Sequence, residues 1–150
     1  MNIKDFKKKE KLGSGLCGNV FKIENTSAKT ILASKIMRHE FFEEDKNTND
    51  AKHHSCEVTI LSQLVHPSIM KFFGYSAIDF TNLCRPVIIT EYPKNVSIED
   101  ILESERDGFK ITFWDDTMKL INIYGIASCM SYLHSKNIIH RDFKAKQCFD

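Results

Sequence analysis

A chain of 150 residues, 42% apolar and 27% charged, can bury one ordinary core and carries too much charge to be a string of membrane spans. Its 21 basic against 20 acidic side chains leave a formal charge of +1, which gives no electrostatic case for nucleic acid or a membrane surface as partner. Five scattered cysteines (Cys17, Cys56, Cys84, Cys129 and Cys148), with no C-x-x-C pair, point to a reducing compartment and away from a disulfide framework.

In chain order, the first third reads as strands. Lys7-Lys8-Lys9 with Lys11 is the densest basic run, and a solvated strand face is its simplest reading. "KEKLGSG" leads into a glycine turn, "NVFKIEN" alternates apolar and polar residues, and "TILASKIM" is a third run. Two strands joined by a glycine-rich turn predict a hairpin. Asn25-Thr26-Ser27 and Asn95-Val96-Ser97 match the glycosylation pattern, but no apolar signal segment opens the sequence. The polar stretch 43–49 precedes a helical pattern in which Val58, Leu61 and Leu64/Val65 recur at three- and four-residue spacing. His53-His54-Ser55-Cys56 reads as a polar helix face, because no second ligand pair stands at zinc-like spacing. His66-Pro67 ends this helix, since the residue before proline is pushed out of the helical region.

"IMKFFGYSAI" and "RPVIITEY" predict two further strands, and a polar bend at 93–95 leads to a short helix over Ile98 to Leu102. The strongest helix begins near Thr112, with Asp115 three residues on as a capping-box partner. Leu120, Ile123, Ala127, Met130 and Leu133 mark one face, while Ile121, Tyr124, Ile126 and Tyr132 widen the stripe. A stripe this wide calls for cover on more than one side, so self-association through the 116–134 helix is expected. The most apolar stretch, Leu120 to Met130, is too short to span a bilayer. A cytoplasmic address follows.

The residues that carry chemistry begin with Gly13-Ser14-Gly15-Leu16-Cys17-Gly18-Asn19-Val20, a G-x-G-x-x-G-x-V run. Glycines let backbone N–H groups approach phosphate oxygens without interference from Cβ. A dinucleotide fold wants a helix after the third glycine; here a strand continues, against that fold. Cys17 in this run is most simply an ordinary loop thiol. Lys35 lies in an apolar strand run and needs anionic partners, a phosphate and a carboxylate; Glu57 is the candidate carboxylate.

The glycine run, Ala33-Ser34-Lys35, Glu57 in "CEVTILSQLVHPSI", "VIITEY" and "HRDFK" occur in the order found in eukaryotic protein kinases, which the whole chain resembles. "GIASCMSYLHSKNIIHRD" resembles the tyrosine-kinase-like group of serine/threonine kinases. The resemblance implies an α+β, protein-kinase-like fold. A five-stranded antiparallel N-lobe sheet with one αC-type helix would occupy about 1–92, and the start of a helical C-lobe would run from about 93 to 150. It implies ATP and Mg²⁺ as cofactors and a protein substrate whose identity the sequence leaves unknown. Gly13, Gly15 and Gly18 would cover the phosphates, and Val20 with Ala33 would sandwich the adenine. Lys35, paired with Glu57, would hold the α- and β-phosphates. Thr90 takes the gatekeeper position and Glu91 to Pro93 the hinge. Asp142 would orient the substrate hydroxyl or accept its proton, and Lys144 would contact the transferred phosphate. Phe149 would sit beneath the adenine, and Leu61, Phe72 and His140 would join a buried spine.

Departures from the family pattern bear on activity. Gln147 stands where the loop normally carries a magnesium-binding Asn; its extra methylene displaces the amide oxygen, and Mg²⁺ tolerates poor geometry badly. Pro93 has no N–H to give to an adenine edge, a loss of about 1 kcal/mol. The 150 residues contain no D-F-G run, so these residues alone are expected to be inactive. A non-catalytic nucleotide-binding or scaffold module is the alternative.

Overall fold

The computed structural model describes residues 1–15, 18–38 and 58–140. These fall into two compact units, one within Met1–Val65 and Met70–Tyr92, the other within His66–Ile69 and Pro93–Asp150.

The first unit is a five-stranded antiparallel sheet. β1 (Phe6–Gly15), β2 (Gly18–Asn25), β3 (Ile31–Met37), β4 (Phe72–Ser76) and β5 (Val87–Glu91) lie in the order β1-β2-β3-β5-β4. Phe21 and Ile23 on β2, Leu32 and Ile36 on β3, and Val87 and Ile89 on β5 turn to one face, under Ile3, Phe6 and Phe80. Ile23, Val87 and Ile89 have no exposed surface, so this face holds the core of the unit. The opposite face carries Val20, Lys22, Ala33, Lys35, Ile88 and Thr90, by the same period of two.

Turn chemistry closes the sheet. Between β2 and β3, the Asn25 side chain accepts from the Ser27 and Ala28 amides (3.1 and 2.8 Å), and Lys29 takes a left-handed φ of 56°. That use of the Asn25 amide oxygen gives this glycosylation-like triplet a structural role. Between β4 and β5, the buried Asp79 organises the loop. Its Oδ1 accepts from the Thr81 amide at 2.7 Å, the Thr81 hydroxyl at 2.6 Å and the Leu83 amide at 3.2 Å. β4 stops at Ser76, short of the expected extent, because the Ser76 hydroxyl donates to the Ile78 carbonyl (2.7 Å) and turns the chain.

Residues 58–63 are helical, and the helix stops three residues before His66, earlier than the proline rule requires. In the second unit, α1 (Ile98–Arg106) is longer than expected and starts in a capping box, Ser97 accepting from the Asp100 amide while Asp100 accepts from Ser97. α2 (Asp116–Ser135) begins later than Thr112. Asp115 is itself the N-cap, its carboxylate accepting from the Met118 amide at 2.8 Å. The His66–Ile69 segment lies along α2: the His66 ring stacks on Tyr132 at 5.1 Å and its Nε2 is 3.2 Å from the Ser128 hydroxyl. Most of the apolar stripe stays exposed, Leu120 at 67% and Tyr124 at 74%.

Candidate nucleotide-binding face

Antiparallel partners directly opposite each other point to the same side of a sheet, so register decides which residues meet. Gly13 pairs with Val20, Val20 with Lys35, and Lys35 with Ile88, one row across four strands. Two residues along, Lys22 pairs with Ala33 and Ala33 with Thr90, with Phe72 beyond. Adjacent strands lie about 4.8 Å apart, so these rows form one continuous floor. The sheet therefore brings together Gly13, Val20, Ala33, Lys35 and Thr90, which are as far as 77 positions apart by number, from Gly13 to Thr90.

The three glycines are glycine for different reasons. At Gly18 an added Cβ would run into the Ile36 carbonyl oxygen, so the close approach of β2 to β3 requires it. At Gly13 and Gly15 an added Cβ would meet nothing within 4 Å among the described residues, and neither has a left-handed φ. Neither local packing nor backbone conformation demands glycine there. Space left open above backbone N–H groups is what an anionic group approaching the main chain needs. Gly15 and Gly18 pair across the hairpin; Leu16 and Cys17, between them, lie outside the described residues.

β5 builds the end of the sheet where the hinge is expected. The Thr90 hydroxyl donates to the Glu91 carbonyl at 3.2 Å. The Glu91 amide donates to the Lys71 carbonyl at 2.9 Å, and the Lys71 amide donates to the Glu91 carboxylate at 2.8 Å. Glu91 is thus a clamp holding the entry of β4 to the end of β5. Its side chain and amide serve the sheet, leaving the second lone pair of its carbonyl for a ligand. Pro93 falls in the second unit and is half-buried.

Lys22, absent from the sequence-based site, belongs to this face. Its ammonium donates to Glu10 at 2.9 Å and lies 5.2 Å from the centre of the Tyr92 ring. The Glu10 hydrogen bond raises the Lys22 pKa and, reciprocally, lowers that of Glu10. Strand alternation from Val20 carried the signal for Lys22; the reach to Tyr92 needed the fold. Lys35, in the row with Gly13 and Val20, is half-buried.

Glu57, Asp142, Lys144, Gln147 and Phe149 lie outside the described residues, as does Cys17. Leu61 and Phe72 are half-buried in the first unit, and His140 is exposed in the second. Among the described residues no group of three His, Cys, Asp or Glu side chains could hold a metal ion, and no helix is long and apolar enough to cross a membrane.

Comparisons with known proteins bear on the family. The family model described as "Protein kinase domain" matches residues 6–148. An Aurora kinase of Saccharomyces cerevisiae is 33% identical over 144 residues, 96% of this chain and 36% of that protein. Aurora kinase A-B of Xenopus laevis is 32% identical over 142 residues, 95% of this chain and 32% of that protein. The human serine/threonine-protein kinase Nek11 is 30% identical over 140 residues, 93% of this chain and 21% of that protein. The chain thus spans about a third or less of the length of these relatives. A family model that covers nearly every residue, laid on a sheet whose register aligns the glycine run with Lys35, assigns the chain: it belongs to the protein kinase family.

Proposed function

We propose that this chain supplies the nucleotide-binding part of an ATP-dependent serine/threonine protein kinase. One observation carries the reading: Gly13, Val20 and Lys35 stand in a single row, beside glycines that local packing leaves open. In this reading the Gly13 and Gly15 backbone meets the phosphates, and the Lys35 ammonium offsets their charge. Val20 and Ala33 cover the adenine, whose edge meets the Glu91 carbonyl. Phosphoryl transfer asks for such positioning and charge compensation rather than covalent chemistry from the protein.

Glu57 would hold Lys35, Asp142 would orient the accepting hydroxyl, and Lys144 would meet the transferred phosphate. Phe149 would close the adenine slot from below. Gln147 is the candidate ligand for Mg²⁺, which would offset the negative charge of the phosphates. The serine/threonine class follows the relatives and Lys144. A cytoplasmic address is proposed from the scattered thiols, and self-association from the exposed stripe of α2.

A second reading has its own support. Pro93 removes a hinge donor and Gln147 alters the metal corner, as a non-catalytic nucleotide-binding or scaffold module would allow. Calorimetry with Mg-ATP tests the shared part: saturable binding is expected for the chain and its loss for Lys35→Met. Unchanged binding in Lys35→Met would overturn the assignment of this face. Phosphate transfer to a generic serine/threonine substrate, abolished by Asp142→Asn, separates the enzyme from the module.

A further inference from the structure

We propose a second anion site in the first unit, on the sheet face turned away from Lys35, which takes a phosphate monoester group. A concavity of about 500 Å³ opens there, with Lys8, Asn19, Arg38, Thr81 and Arg85 around it and Phe21 among its apolar lining. Asn19 and Phe21 pair with Ile36 and Ser34, so they belong to the face opposite Val20 and Lys35. This site is independent of the nucleotide reading, and either can fail without the other.

Charge is the first argument. Lys8, Arg38 and Arg85 against Asp79 leave a local formal charge of 3 − 1 = +2, in a chain whose total is +1. Cations gathered in a concavity focus their potential on whatever enters it. Neither Lys8 nor Arg38 has an ion-pair partner among the described residues; Lys8 rests over the Phe21 ring, 4.7 Å from its centre. Among the described residues, both the ammonium and the guanidinium group are therefore open to an incoming anion.

Preorganisation is the second. Arg85 is anchored on both sides: its amide donates to the Leu83 carbonyl at 2.8 Å, and its Nε lies 3.5 Å from Asp79 Oδ2. That Nε is buried and makes no hydrogen bond among the described residues. The Thr81 hydroxyl and amide bind the same Asp79 carboxylate, so one buried residue sets both Thr81 and Arg85. The Met37 amide donates to the Pro86 carbonyl at 2.9 Å, tying the end of β3 to this loop beside Arg38. A planar guanidinium already held in place loses less entropy on meeting a phosphate than a mobile one.

The test uses the whole chain, observed by amide NMR, with inorganic phosphate and O-phosphoserine as probes. Saturable shifts are expected at the Asn19 and Thr81 amides with both probes. The Lys8→Ala/Arg38→Ala double variant should bind roughly tenfold more weakly. Lys35→Met should bind as the wild type does. Both replaced residues are exposed, and unchanged β3 and β5 amides in the double variant serve as its folding control. Tighter binding of phosphoserine than of phosphate is expected, through contact of the phosphorylated side chain with Phe21; equal binding would overturn the monoester assignment. Shifts that never saturate, that survive in the double variant, or that vanish in Lys35→Met would overturn the site.

Discussion

At the scale of single residues, the glycine run separates into two kinds of glycine. Gly13→Ala adds a methyl group to open space in an extended strand, so stability should stay level or rise by about 0.4–1 kcal/mol through loss of unfolded-state freedom. The same change should weaken Mg-ATP several-fold, since about 1 kcal/mol of backbone approach is obstructed. Gly18→Ala should instead cost about 1–3 kcal/mol, because the obstacle is the Ile36 backbone and cannot turn aside. Urea melts and calorimetry on the two variants read both effects. Equal melts would contradict the division.

Asp79 is the second decisive residue. Burial pushes its pKa up, but the hydrogen bonds from Thr81 and Leu83 and the charge of Arg85 together outweigh that and leave it below the ordinary value. A carboxyl whose folded pKa is lowered adds stability above its unfolded pKa of about 3.9, and loses it as pH falls through the lower folded value. Asp79→Asn should therefore cost about 1–3 kcal/mol at neutral pH. Denaturation midpoints taken from pH 6 downward should converge for the two proteins only below pH ~4. Parallel curves throughout would remove Asp79 from the account of acid stability.

At the scale of elements, α2 shows how an end is chosen. Thr112 and Asp115 both read as N-terminal signals, and the helix starts at the second, where the Asp115 carboxylate meets the Met118 amide. Asp115→Ala should lower stability by about 1 kcal/mol, and Thr112→Ala should change it little, as followed by helical circular dichroism in urea. A larger effect at Thr112 would move the cap. The strand elements depend on a different device. In β2, β3 and β5 one set of alternate residues forms the buried face and the other the candidate nucleotide floor, while β1 and β4 carry register shifts.

At the scale of the whole molecule, the exposed apolar surface of α2 has the largest consequence. Leu120, Ile121, Ile123 and Tyr124 are each more than half exposed in this chain, the least of them at 56%. Apolar surface of this extent favours association. Sedimentation velocity should show concentration-dependent association, reduced in Ile123→Lys/Tyr124→Lys. A monomer at every concentration would dismiss the proposed self-association.

Much of this protein was legible in the sequence because its signals are local or ordered. Apolar runs, alternating in "NVFKIEN", and the glycine turn marked the strands, the polar bend at 93–95 marked the start of α1, and the ordered motifs marked the family. The sequence by itself determined these because each rests on spacing along the backbone. Only the tertiary structure decided that Gly18 is glycine for packing while Gly13 and Gly15 are not, since that depends on how closely β3 approaches β2. It also decided that Glu91 clamps β4, that Lys22 joins Tyr92, and that Asp79 gathers Thr81 and Arg85 on the far face. Those pairings join residues through space and turn on register and burial, which chain order alone does not specify.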